Sequence, residues 1–168
     1  LFLEMLDGLL SQTTEKYLIV LKYIDSFVSE ESYTIFYKQI CQLVKKYPNL
    51  NFILFPSDQG YLKIDEENSR FVNILSDQVE HLYDVEFMYE SVAKHYPSNN
   101  FPTRDGFRMS LETVTPYLLT KMTRQPSLSL VDSVVLNILN QLFHFNYRIR
   151  YPQTSDEKLL QKFLESKN

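Results

Sequence analysis

The sequence predicts an α/β fold: a head built on a parallel βαβ sheet, followed by a mainly helical C-terminal extension. Three observations predict it. Two continuous apolar runs, 17–24 and 51–56, flank a stretch with helical spacing. A polar, proline-bearing stretch, "PSNNFPT" at 97–103, breaks the chain. Beyond it the apolar residues recur at helical spacing between further prolines. The expected boundary lies near 97–102, giving a head over 1–96 and an extension over 97–168. The 168 residues, 44% hydrophobic and 14% aromatic, suffice for a packed core.

The elements follow in order. Residues 1–10, "LFLEMLDGLL", read as the second half of a helix, and with Leu rather than Met in first place the chain is expected to be the C-terminal part of a longer protein. That segment is too short and too acidic for a membrane span or a signal peptide, and no other apolar run approaches ~20 residues. A soluble protein without membrane partners is expected. The run "YLIVLKYI" lacks strict alternation, which predicts a strand buried on both faces. Ser29 caps a helix whose first turn carries Glu30 and Glu31, matching the helix dipole. Tyr33, Phe36, Ile40, Leu43, Val44 and Tyr47 make its apolar stripe, Lys45 and Lys46 close it, and Pro48-Asn49 stop it.

"NFILFP" (51–56) is the next strand. A strand–helix–strand unit of this length implies a right-handed crossover and parallel pairing. Both strands then end on one edge of the sheet, the edge where open α/β sheets bind ligands, and Asp25-Ser26 and Ser57-Asp58 sit at those ends. Residues 59–69 read as a loop and "RFVNIL" (70–75) as a short third strand. Ser76 or Asp77, with Glu80 at capping-box spacing from Asp77, is expected to cap a helix carrying Leu82, Val85, Tyr89, Val92 and Tyr96. In the extension, Thr115-Pro116 suggests a helix start. Ser129 and Asp132 open the most apolar helix. "NYRIRYP" (146–152) reads as extended, and Thr154 with Glu157 starts a last amphipathic helix bearing Leu159, Leu160, Phe163 and Leu164.

Only three glycines occur, and neither G-x-x-x-x-G-K-[ST] nor G-x-G-x-x-G is present, so these residues hold no complete nucleotide-hydrolysing site. Asp25 and Asp58 read either as metal or phosphate ligands or as turn formers. Cys41 is alone, which precludes an internal disulfide and suits a reducing cytoplasm. It reads as a helix residue rather than a thiol nucleophile, with nothing nearby to lower its pKa. His81, His95 and His144 lack zinc-binding spacing, and His144, between Phe143 and Phe145, is assigned to the core or an interface. Asp65, Glu66 and Glu67 form an acidic loop without the EF-hand pattern.

The net charge of −4 does not advertise a nucleic-acid binder, but its distribution is uneven. Residues 1–100 hold 15 acids and 8 bases, whereas residues 101–168 hold 6 acids and 9 bases, including five of the six arginines. In an extended "YRIRY" (147–151), Arg148 and Arg150 share one face. That pair suits phosphate contact, or equally the charged protection of an edge strand. Arg148 and Arg150, then Lys121 and Arg124, are the candidate phosphate-binding residues, chosen on charge clustering.

The βαβ segment resembles the head domain of the ring-forming CRISPR-associated protein of type II-A adaptation modules. The resemblance rests on "YLIVLKYIDSFVSEESYTIFYKQI" (17–40), "NLNFILFPSD" (49–58) and "RFVNIL" (70–75), with the first helix as the end of the arm before the first strand. It covers roughly residues 1–75, and residues 76–168 would be the extension of a long-form member. It implies a fold related to P-loop ATPases but without known hydrolysis. It further implies homotetrameric rings whose basic channel holds double-stranded DNA ends, and spacer acquisition with the integrase pair and the type II effector nuclease. Calcium is a cofactor of several members, through acids that cannot be placed on this chain. The alternatives are a nucleotide hydrolase whose phosphate loop lies upstream, with Asp25 holding magnesium, and a protein-interaction module using the apolar 130–145 helix.

Overall fold

The computed structural model describes residues 1–56, 59–75, 79–122, 126–147 and 158–166. The chain packs as two units, Leu1–Leu62 and Lys63–Asn168. The boundary expected near 97–102 lies within the second unit, between two of its helices. No helix among the described residues is long and apolar enough to cross a membrane.

The first unit is the expected βαβ. Helix α1 (Phe2–Leu10) precedes β1 (Tyr17–Lys22), α2 (Glu30–Lys46) and β2 (Leu50–Phe55). The strands pair in parallel from Tyr17 opposite Leu50 to Lys22 opposite Phe55. The Ser29 hydroxyl accepts the Ser32 N–H, as a capping residue should, and Lys45 and Lys46 close the last turn. Leu6 and Leu10 of α1, Leu43 of α2 and Leu50 of β2 form a buried cluster, with Leu3, Tyr17, Ile19, Tyr47 and Phe52 packed on it.

The strands are not buried on both faces. Burial alternates along β1 and continues in register along β2. Tyr17, Ile19, Phe52 and Leu54 face inward, while Leu18, Val20, Ile53 and Phe55 on the other face are 61%, 46%, 41% and 39% exposed. A continuous apolar run reports what a strand is suited to bury, and here the helices of the unit cover one side. On α2, Val44 likewise lies exposed although its spacing placed it on the stripe.

The expected third strand is a second correction. Ser69–Phe71 form a 3₁₀ turn, and only Asn73–Leu75 (β3) are extended. They pair antiparallel with Val79–His81 (β4) in a separate sheet. Closing a hairpin over so few residues costs far less chain entropy than a crossover to the first sheet. The helix expected from Ser76 or Asp77 starts later for the same reason. Residues 76–78 lie outside the described residues, and α3 spans Val85–His95 with Asp84 as its cap, accepting the Glu86 and Phe87 N–H groups.

Helix α4 (Arg104–Val114) is capped by Thr103. Thr115-Pro116 does not open a helix. It forms a single 3₁₀ turn directly after α4, and the Thr115 hydroxyl donates back to the Leu111 carbonyl at 2.6 Å instead of capping forward. Helix α5 (Leu130–Leu142) begins as read: Ser129 accepts the Asp132 N–H, and its hydroxyl donates to the Asp132 carboxylate at 2.6 Å. Every residue from Ser133 to Asn140 is buried, so α5 is the core of this unit. Helix α6 (Lys158–Glu165) buries Leu160 and Leu164 and exposes Leu159. The Thr154–Glu157 start lies outside the described residues.

Candidate functional site

In the first unit, the carboxyl ends of β1 and β2 lie on one edge because the strands are parallel. The chain leaves β1 through Tyr23, which adopts the left-handed conformation at φ 57°, and turns through a 3₁₀ segment, Ile24–Ser26. Asp25 is half-buried in that turn. Beside it the buried Tyr33 phenol is pushed up to about 12, by burial first and then by electrostatic interaction with Cys41 and Asp25. The Tyr61 ring lies 5.1 Å from Tyr33, and its hydroxyl donates to the Val28 carbonyl at 2.6 Å. Gly60 passes so close to Glu30 that a Cβ there would meet the carboxylate at 3.0 Å. The Asp25 and Glu30 carboxylates bring negative charge to this edge, which disfavours phosphate. Asp58 lies outside the described residues.

Among the described residues no group of three or more acid, histidine or cysteine side chains gathers to hold a metal ion. The acidic loop shows why its charges do not converge. Asp65 Oδ1 accepts the Glu67 and Asn68 N–H groups, both at 2.9 Å, and Asn68 Oδ1 accepts the Asp65 N–H at 2.9 Å. The Asp65 carboxylate closes its own turn, so these acids do not fit a calcium site. The histidines are also accounted for. His95 Nδ1 lies 2.7 Å from the Ser91 carbonyl one helical turn away. His81 is on β4. His144, assigned to the core or an interface, is exposed and left-handed at φ 57°, because it ends α5 with its N–H on the Gln141 carbonyl.

The basic half lies in the second unit. Arg104 pairs with Glu86 and stacks over the Tyr89 ring at 4.7 Å, and Arg108 lies 3.7 Å from Asp105. Lys121 is exposed on the segment after the 3₁₀ turn. Arg124, Arg148 and Arg150 lie outside the described residues.

The structure also shows how the chain on either side is fastened. Asn140 of α5 is fully buried. Its carbonyl oxygen accepts the Leu119 N–H at 3.2 Å, and its amide donates to the Tyr147 carbonyl at 3.3 Å. The Tyr147 hydroxyl in turn donates to the Met122 carbonyl at 3.0 Å. Residues 119–122 and 147 are thereby tied side by side, and Lys121 is displayed on the tie. Sequence reasoning missed Asn140. The available signal was a pair of amides three residues apart, Asn137 and Asn140, in the most apolar helix of the chain.

This mixed α/β chain, with its parallel βαβ unit and helical second half, falls into a defined class. A family model described as CRISPR-associated protein Csn2 subfamily St matches residues 1–165, and the chain belongs to that CRISPR-associated family. Among solved structures it is similar to Stu0660 of Streptococcus thermophilus, at 88% sequence identity and a TM-score of 0.89. The similarity covers 97% of this chain and 47% of Stu0660, so the chain spans about half the length of that relative. A search of curated proteins finds no match.

Proposed function

We propose that this chain serves CRISPR adaptation as part of a non-enzymatic, cytoplasmic protein that holds double-stranded DNA ends inside a homotetrameric ring, without regard to sequence. The family match over residues 1–165 carries the reading. In this reading the βαβ unit is a P-loop-like head that lacks a phosphate loop, and the protein works alongside the integrase pair and the type II effector nuclease. Lys121, Arg124, Arg148 and Arg150 contact phosphates. The exposure of Lys121 and the fastening of its segment by Asn140 support that role, since a phosphate contact works best from a backbone that does not have to be ordered on binding.

The test is fluorescence anisotropy of a labelled linear duplex titrated with the chain in its full-length context. Binding should be indifferent to sequence, and log affinity should fall linearly with log salt at about −0.9 per phosphate neutralised. Lys121→Glu should weaken binding uniformly and reduce that slope by about one per contacting protomer. No duplex binding at low salt would refute the proposal. Unchanged binding and slope in Lys121→Glu would remove Lys121 from the interface.

A further inference from the structure

We propose that Asn140 is the positioning residue for the phosphate contact at Lys121: it holds two strained turns in one arrangement, so that duplex DNA meets a backbone already ordered. The inference rests on the DNA-binding reading above and adds to it a residue that sets affinity without touching DNA. The two turns stand at Leu119 and His144, both left-handed at φ 57°. A bulky residue is seldom found there, because its Cβ crowds the following carbonyl oxygen. Such strain persists only where the surroundings over-determine it, and it gathers at sites with a task. The end of α5 accounts for His144: its N–H donates to the Gln141 carbonyl at 3.0 Å, and the Phe145 N–H donates to the Asn140 carbonyl at 2.7 Å. No helix end accounts for Leu119. It follows the 3₁₀ turn at one remove, behind an extended Leu118.

What pins Leu119 is Asn140, whose side-chain oxygen takes the Leu119 N–H at 3.2 Å. The same residue acts on the other turn twice, through its carbonyl on Phe145 and its amide on the Tyr147 carbonyl. The Tyr147 hydroxyl then closes the loop on the Met122 carbonyl. Lys121 therefore lies between two pinned points, Leu119 and Met122, with its own side chain exposed. Between them the Thr120 hydroxyl donates back to the Leu118 carbonyl at 3.1 Å, which shortens the free run further. Without the Asn140 side chain the Leu119 turn is free to relax out of the left-handed region. Binding would then have to order the segment again, and that cost is taken from the affinity. Asn140 is fully buried, so its loss leaves the number of neutralised phosphates as it was. Affinity should fall while its salt dependence stays the same, unlike the loss of a contacting cation.

The experiment places Asn140→Ala, Tyr147→Phe and Lys121→Glu separately in the full-length protein. Anisotropy of a labelled linear duplex is read across a salt series, at a temperature where circular dichroism shows each variant folded. Asn140→Ala should weaken binding about fivefold at every salt concentration, with an unchanged slope of log affinity on log salt. Tyr147→Phe keeps its ring, loses only the Met122 bond, and should weaken binding about threefold, again at unchanged slope. It decides the matter alone if Asn140→Ala does not fold. Lys121→Glu should lower the slope. Asp84→Ala, which removes the α3 cap in the same unit, is the control for general destabilisation and should leave affinity unchanged. Unaltered affinity in Tyr147→Phe, or a slope that changes with it, would overturn the inference while a lowered slope in Lys121→Glu keeps the DNA-binding reading standing. A loss in Asp84→Ala equal to that in Tyr147→Phe, or an unchanged slope in Lys121→Glu, would overturn it as well. No duplex binding by the unaltered protein would overturn both the inference and the reading.

Discussion

Replacing Asn140 by alanine should destabilise the second unit by about 3 kcal/mol, far more than removing one neutral hydrogen bond. The magnitude follows from where its two bonds go. Leu119 is 4% exposed, so the N–H that loses the Asn140 oxygen stays buried and unpaired, costing roughly 2 kcal/mol. Tyr147 is only half-buried, so water can replace the Asn140 amide on its carbonyl, and that loss is about 0.5 kcal/mol. The void left in a fully buried site adds about 0.5–1 kcal/mol. Urea unfolding followed by circular dichroism measures the change, which should shift the midpoint without altering the slope. Asn140→Leu fills the void but still orphans the Leu119 N–H, so it should recover less than half of the loss. Tyr147→Phe removes the bond to Met122 and should cost about 1 kcal/mol alone. Combined with Asn140→Ala it should cost less than the sum, because both side chains fasten the same two segments. A loss below about 1 kcal/mol for Asn140→Ala, or strict additivity with Tyr147→Phe, would refute the tie.

Three further outcomes are expected. Tyr33 is held protonated to about 12 in the fold, while an unfolded tyrosine ionises near its ordinary value of 10.0. Its contribution to stability is therefore complete below pH 10 and is lost as pH rises from 10 towards 12; unfolding measured across that window should show a slope that Tyr33→Phe reduces, the Lys46 ammonium, held protonated by its bond to Asp7, supplying part of the remainder. The Asp7 carboxylate is held below its ordinary value by the Lys46 ammonium at 2.7 Å and the Tyr47 hydroxyl at 2.8 Å. Its titration by NMR should have a midpoint below 3.8, and Lys46→Met should move that midpoint up. Gly60→Ala should change stability by less than about 1 kcal/mol, since the atom it would meet is the far end of the flexible Glu30 side chain; a large loss in a thermal melt would mean that Glu30 cannot move aside.

Features set by neighbours in sequence were legible before any coordinates. Ser29 and Ser129 cap the helices they precede, and Lys45-Lys46 end α2. Each depends on a few adjacent residues. The misreadings share a different physics. Leu82 and Val85 fit a helical stripe, yet 79–81 is extended because β3 offers it a partner, and a pairing partner is a tertiary fact. Three residues after Asp84 stands Phe87, not Glu, so capping-box spacing favoured Asp77 with Glu80 and pointed away from the actual cap. Of the candidate phosphate contacts, chosen on charge clustering, Lys121 alone lies among the described residues, and the clustering gave no hint that a buried amide on α5 holds the segment bearing it. Arg104 and Arg108 contributed to that clustering, yet each is engaged with a carboxylate.

The uncovered sheet face also bears on how this chain behaves in the tube. Sulfate and phosphate salts are excluded from protein surfaces and drive exposed apolar area together, whereas any salt weakens attraction to a nucleic-acid backbone. With Leu18, Val20, Ile53 and Phe55 bare, a sulfate titration of the isolated chain would mix self-association with any loss of the proposed DNA contact. Chloride, a weaker structure-maker, would separate the two, and turbidity without DNA would report how sticky the bare face is.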